Sequence, residues 1–193
     1  LTSPPYKGPI VLGTQPLGGA VDFNISHWIV EHRGALLPAA RWVTVAGSTA
    51  VLACVALVIA ARELRNRCRA QALGVLATSL TLVFFTCGLK VFVHRKRPPQ
   101  SWWVADITGA IPHDWSFPSA HAAHAALVAG LLLVTMRPSR GARILAVCAA
   151  GAVGLSRLVL GVHWPSDVLA GWLLGAVASW ILARCNARPT ENP

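Results

Sequence analysis

Apolar residues gather along this chain in five long runs, roughly 42–61, 71–93, 119–136, 142–162 and 166–183. At ~1.5 Å per helical residue, each is about long enough to cross a ~30 Å hydrocarbon layer. A lone strand in lipid leaves its backbone N–H and C=O groups without partners, so the runs predict helices. Ahead of them, residues 1–19 carry Pro and Gly without periodicity and read as a loop. Residues 21–32 differ. Val21, Ile25, Trp28, Ile29 and His32 share one helical face, whereas Asp22, Asn24, Ser26 and Glu31 lie elsewhere. That segment is too short and polar to span. It suits an amphipathic helix on the membrane surface or a short soluble-type helix packed on the bundle. The expected fold is an all-α, polytopic membrane helical bundle with five visible transmembrane helices and this surface helix.

Composition agrees. The chain is 54% hydrophobic and only 12% charged, where a soluble domain carries about a quarter charged residues. A net charge of +10 does not make nucleic acid an expected partner, because the basic residues sit in short links between apolar runs. Arg62, Arg65, Arg67 and Arg69 crowd one link, Arg137, Arg140 and Arg143 another, and Arg184 and Arg188 follow the last run. If the runs alternate in direction, all three clusters lie on one side, and the positive-inside rule makes it cytoplasmic. The other side holds residues 1–41, 94–118 and 162–165, with Trp28, Trp42, Trp102, Trp103, Trp115 and Trp164 as an aromatic belt. Lys90, Arg95, Lys96, Arg97 and Arg157 also lie there, and cations on the disfavoured side invite a functional explanation. The five cysteines show neither zinc nor disulfide-framework spacing and read as reduced core or loop residues. Gly171 and Gly175 form a small-xxx-small pair, read as close packing inside the bundle. The chain starts at Leu1 and its only methionine is Met136, so a sixth, N-terminal helix is expected upstream.

Three clusters of reactive residues fall at the outer ends of the runs. Lys90, Arg97 and Pro98 lie at the exit of the second, and Pro118, Ser119, Ala120 and His121 at the entry of the third. Ser156, Arg157, His163 and Asp167 join the fourth to the fifth. Alternating topology brings them to one membrane surface. Lys90, Arg97 and Arg157 supply three cations for a phosphate, whose oxygens match the planar donor fork of Arg. The amides of Ser119, Ala120 and His121 are expected to head a helix and point outward as an anion site, with Ser119 capping the helix or donating to phosphate. His163 and Asp167, four apart, share a helical face. Pro165 between them is tolerated only in a first turn, which places the pair at the membrane surface. Asp167 can then orient one imidazole nitrogen while the other attacks phosphorus, leaving His121 to protonate the leaving oxygen. Such a set completes phosphoryl transfer by positioning and electrostatics, with no metal and no cofactor expected.

These residues resemble the three signature motifs of the type-2 phosphatidic acid phosphatase superfamily. Lys90, Arg97 and Pro98 meet K-x6-R-P; Pro118, Ser119, Ala120 and His121 stand where P-S-G-H is usual; Ser156, Arg157, His163 and Asp167 meet S-R-x5-H-x3-D. The resemblance covers roughly residues 40–185. It implies that His163 is the nucleophile that becomes phosphorylated, that Asp167 orients it, and that His121 is the acid. It also implies that Lys90, Arg97, Ser119 and Arg157 bind phosphate, that no metal is needed, and that membrane members usually have six helices. Ala120 replaces a glycine, but its amide remains a phosphate-site donor where the backbone does not need φ > 0.

The implied organisation is an outer-face loop and interfacial helix over 1–39, a membrane phosphatase domain over 40–185 and a cytoplasmic tail over 186–193. The expected activity is metal-independent hydrolysis of a lipid phosphate or pyrophosphate monoester through a phosphohistidine at the outer surface of a bacterial plasma membrane. The candidate substrates are polyprenyl phosphate or pyrophosphate, phosphatidic acid and phosphatidylglycerol phosphate. The expected partners are that lipid and the bilayer; the oligomeric state stays open. Two other classes compete. Vanadium haloperoxidases resemble the same motifs but are generally soluble, against which the five apolar runs argue. A membrane scaffold or transporter subunit has no need of His163, Asp167 and His121 together. His124, one turn after His121, either supports it or packs. The loop of Trp102, Trp103, His113, Asp114 and Trp115 forms a substrate lip or rests in the interface.

Overall fold

A computed structural model of the chain describes residues 19–136 and 138–186. Residues 1–18 of the loop expected over 1–19, Arg137, and residues 187–193 of the tail expected over 186–193 lie outside the described residues, while Gly19 and Asn186 are helical. Among the described residues the regular structure is all helical, and the stretch from residue 94 to 119 is loop apart from one short 3-10 turn. The α-helices are α1 (Gly19–His32), α2 (Leu37–Ala46), α3 (Thr49–Arg65), α4 (Arg69–Val93), α5 (Ala120–Met136), α6 (Arg140–Val159) and α7 (Pro165–Asn186).

Helix α5 is the axis of the bundle and packs against α3, α4, α6 and α7. Its alanines Ala122, Ala123, Ala125 and Ala129 are buried together with Leu127, Val128 and Leu131. Gly171 and Gly175 press α7 onto this alanine face. A Cβ on Gly175 would stand 2.1 Å from the carbonyl oxygen of Ala123, and one on Gly171 2.5 Å from that of Ser119. The small-residue pair is therefore spent on packing within the bundle, and it draws the N-terminus of α7 against that of α5.

The first apolar run is not one helix. It divides into α2 and α3, bent by 47° at Gly47 and Ser48. A Gly–Ser pair is a common cause of such a break. Gly47 caps α2, and Ser48 turns extended and restarts the chain as N-cap of α3, its hydroxyl accepting from the amide of Val51 at 3.3 Å. By length and composition α4, α6 and α7 can each cross a membrane, as can the α2–α3 pair if counted as one broken span. Helix α5 is apolar but has only 17 residues, ~26 Å at the standard rise.

Helix α1 forms where expected but sits differently on the bundle. Its polar positions Asp22 and Ser26 turn inward, Asp22 being 3% exposed, while Val21 and Trp28 are 65% and 61% exposed. It lies across α6 and α7. Val21, Ile25 and Trp28 remain outermost with Asn24 and Glu31, while Ile29 of the expected apolar face packs against the core and the inward Asp22 has a charged partner.

Candidate active site

Four helix ends meet at one end of the bundle: the C-termini of α4 and α6 and the N-termini of α5 and α7. Lys90 lies in the last turn of α4 and Arg157 in that of α6. Helix α4 stops at His94, which takes a left-handed conformation (φ 50°) and returns its amide to the carbonyl of Lys90. The chain then runs through Arg95, Lys96 and Arg97 over the bundle end. Ser116 straps this stretch by donating its amide to the carbonyl of Arg95 at 2.9 Å, and Trp164 donates its indole N–H to that of Lys96 at 2.9 Å.

Pro165 opens α7, and Asp167 reaches back to accept the amide of Trp164 at 2.9 Å, as the acid of a capping box does. The same oxygen, Oδ2, accepts from His163 Nδ1 at 3.3 Å. Asp167 thus caps the helix and orients the histidine at once. With the proton on Nδ1, the His163 Nε2 lone pair faces Arg97, whose Nη1 stands 3.1 Å away and also donates to the carbonyl of Val162 at 2.6 Å. Burial, then the charges of Arg97, Arg157, Lys90 and His121, hold the His163 pKa well below its ordinary value. The shift favours the neutral imidazole, whose Nε2 faces the Arg97 N–H.

Lys90 and Arg97 converge on one carboxylate. Asp114 Oδ2 lies 3.0 Å from Lys90 Nζ, and its Oδ1 2.5 Å from Arg97 Nη2. Burial works to raise the Asp114 pKa, but Lys90 and then Arg97 outweigh it and leave the group below the usual carboxylate range. Two oxygens of a phosphate would make the same pair of contacts. Beside this bridge the 95–115 loop borders an open cavity of about 600 Å³ lined by Arg97, Pro98, Trp103, Pro112, His113 and Trp115. Arg157 is buried and donates to the hydroxyl of Thr44 on α2, while its Nε has no protein acceptor.

Ser119 departs from expectation. Its amide donates to the main-chain carbonyl of Asp167 at 3.0 Å rather than pointing outward. Its hydroxyl is buried without a hydrogen-bond partner, so it does not cap α5. The close approach of α5 and α7 claims the amide. Ala120 opens α5 without a positive φ, so replacement of glycine there introduces no backbone strain and its first-turn amide stays free of intrahelical partners. His121 follows on the same turn and makes no hydrogen bond among the described residues. His124 is buried, its Nδ1 bonded to the carbonyl of Ala120 at 2.8 Å. Among the described residues no three His, Cys, Asp or Glu side chains converge as a metal cage would need.

The PAP2 superfamily model matches residues 71–191. The chain belongs to the PAP2 superfamily. Among PAP2 relatives, an undecaprenyl-diphosphatase from Sulfolobus acidocaldarius is 47% identical over 70 residues, 36% of this chain and 32% of that protein. Phosphatidylglycerophosphatase B from Escherichia coli K12 is 46% identical over 77 residues, 36% of this chain and 30% of that one. These aligned stretches span about a third of those relatives' own length. A transmembrane PAP2-type phosphatidylglycerolphosphate phosphatase from Bacillus subtilis superposes with a TM-score of 0.75 at 26% identity, covering 90% of this chain and 88% of that structure. With these neighbours and its long apolar helices, this PAP2 chain is an integral membrane protein.

Sequence reasoning missed four residues at this site. Thr44 and Asp22 belong to helices read only for their apolar faces, Asp114 was an undefined part of a loop, and Arg95 passed as one more interfacial cation. Each gains its meaning from a partner more than 15 residues away.

Proposed function

We propose that the chain hydrolyses a lipid phosphate or pyrophosphate monoester through a phosphohistidine on His163. The observation that carries this reading is the buried His163, bonded at Nδ1 to Asp167 and facing Arg97 at Nε2, beside cations already bridged by a carboxylate. The substrate phosphate takes the place of the Asp114 carboxylate on Lys90 and Arg97. The unsatisfied Arg157 Nε and Ser119 hydroxyl and the amide of Ala120 supply further donors.

In the first step His163 Nε2 attacks phosphorus. An N–P bond forms as the P–O bond to the lipid breaks, and the departing oxygen takes a proton from His121. Water then attacks phosphorus and returns a proton to His121. The P–N bond breaks, releasing inorganic phosphate and neutral His163. The residues present supply charge balance and positioning without a metal.

Polyprenyl phosphate or pyrophosphate is the leading substrate, with phosphatidylglycerol phosphate next, both in line with the names of relatives, and phosphatidic acid as a third candidate. The active site faces outward from a bacterial plasma membrane, because the Arg-rich links at 62–69 and 140–143 lie at the opposite end of the bundle. Phosphate release from a panel of these lipids, in excess chelator, tests the function. Release by the wild-type chain and none by His163→Ala is expected. No release from any lipid, or release that needs added magnesium, overturns it.

A further inference from the structure

Behind His163 lies a second layer of buried charge that phosphate does not touch. Arg95 Nη1 donates to Asp167 Oδ1 and, at 2.8 Å, to the hydroxyl of Ser166. Its Nη2 donates to Asp22 Oδ2 at 2.6 Å. Asp22 in turn accepts the hydroxyl of Ser166 at Oδ2 and the amide of Ser166 at Oδ1, 3.0 Å away. The side chains of Asp22 and Arg95 are each 4% exposed and that of Asp167 is fully sealed. Asp22 rides on α1, Arg95 follows α4, and Ser166 and Asp167 open α7, so three separate segments converge on one guanidinium.

From this arrangement we infer that Asp22 and Arg95 are positioning residues for His163, acting through Asp167; the inference rests on the reading of His163 as nucleophile. Three buried ions are costly to desolvate, and stability alone gives no reason to keep them, since apolar replacements commonly do as well or better. Their geometry supplies one. Asp167 has two oxygens with different tasks: Oδ2 orients the imidazole and Oδ1 is pinned by Arg95. A carboxylate held at one oxygen only is free to pivot. The planar fork of Arg95 can serve two carboxylates at once, which a lysine ammonium cannot do with the same fixed directions. Burial works against the charge of Asp22, but Ser166 and Arg95 outweigh it and hold its pKa below the ordinary value.

The carboxylates of Asp22 and Asp167 also lie away from phosphate, behind an imidazole that becomes cationic as the N–P bond forms. Asp22→Asn removes one carboxylate from that layer and the charged partner that holds Arg95 in place. Arg95 does not serve as a phosphate ligand: both its Nη atoms are committed to the rear of the site, and only its Nε lacks an acceptor.

Stopped-flow hydrolysis of p-nitrophenyl phosphate by the purified full chain in detergent separates positioning from folding. This leaving group needs no proton, so the nitrophenolate burst reports attack by His163 alone. The burst amplitude counts competent sites, and its rate constant reports how well each one attacks. Asp22→Asn and Arg95→Lys are expected to slow the burst by roughly tenfold or more at unchanged amplitude, the scale typical of groups that orient a reacting ligand from behind. Asp22→Glu, which keeps the charge, should recover part of the rate. A structural role would instead lower amplitude and leave the rate constant alone, and that result overturns the inference. Should Asp22→Asn fail to fold, Ser166→Ala keeps all three charges and removes only the hydroxyl, and a wild-type burst rate in it would equally count against the assignment. Failure of the underlying reading looks different: the wild-type burst would be missing, or would survive His163→Ala.

Discussion

His121 sits in the first turn of α5 and His163 in the link just before α7, and the two are expected to fail in different ways. His163 has a carboxylate behind one nitrogen and a guanidinium before the other; His121 has neither. His163→Ala should abolish acid-labile phosphoenzyme in quenched flow. His121→Ala should slow lipid phosphates by about 10²–10⁴-fold and p-nitrophenyl phosphate far less, because nitrophenolate leaves unprotonated. Equal proportional losses on both would remove His121 as the acid. Asp114 makes a second residue-scale prediction. A phosphate must displace it from Lys90 and Arg97, so Asp114→Asn should lower KM about two- to fivefold, as for partly exposed ion pairs. The sign with pH follows from its depressed pKa. The ion pairs are present above the ordinary carboxylate pKa and are lost only as pH falls through the lowered folded value. The KM advantage of Asp114→Asn should therefore be constant across neutral pH and disappear in acid. An advantage that grew on acidification would contradict the displacement. His163, Asp167, Lys90 and Arg97 were legible in the sequence because fixed spacing on a helix or its end brings such residues together. Asp22 was not, since helical periodicity reports which residues share a face and not which face turns inward.

At the scale of the element, the decisive contact is α7 on α5. Gly175 lets the helices approach until its missing Cβ would meet backbone, not a movable side chain. Gly175→Ala must push the helices apart at a cost of ~1–3 kcal/mol, and the shift is transmitted to the amide of Ser119 bonded to Asp167. A lowered thermal midpoint in detergent together with reduced turnover is expected. Gly88→Ala, where an added Cβ meets nothing, should change neither. A stable, fully active Gly175→Ala would show that the close approach is not needed. Hydrophobic run length predicted α4, α6 and α7 well, because nothing interrupts them. It did not foresee the break in the first run: Gly47 and Ser48 are small enough to pass as part of an apolar stretch, yet together they end one helix and cap the next. Nor did it show that α6 stops at Val159, where Gly161 takes a left-handed φ of 71° against the carbonyl of Trp102 and turns the chain toward His163.

For the whole molecule, the proposed orientation rests on the uneven distribution of Arg between the ends of the bundle. In a cysteine-free background in intact cells, an impermeant thiol reagent should label Gln100→Cys and spare Arg140→Cys; the reverse pattern would invert the assignment. The end of the bundle that carries the catalytic groups also carries α1, whose outward residues Val21 and Trp28 are apolar and whose inward residue Asp22 grips Arg95. One short helix therefore presents apolar side chains outward and a carboxylate inward to the contacts that end on His163. On the proposed orientation those outward side chains meet lipid, and a tilt of α1 would reach the imidazole through three contacts: Asp22 to Arg95, Arg95 to Asp167 and Asp167 to His163. A micelle that presses differently on α1 would then be expected to change turnover while leaving the chain folded.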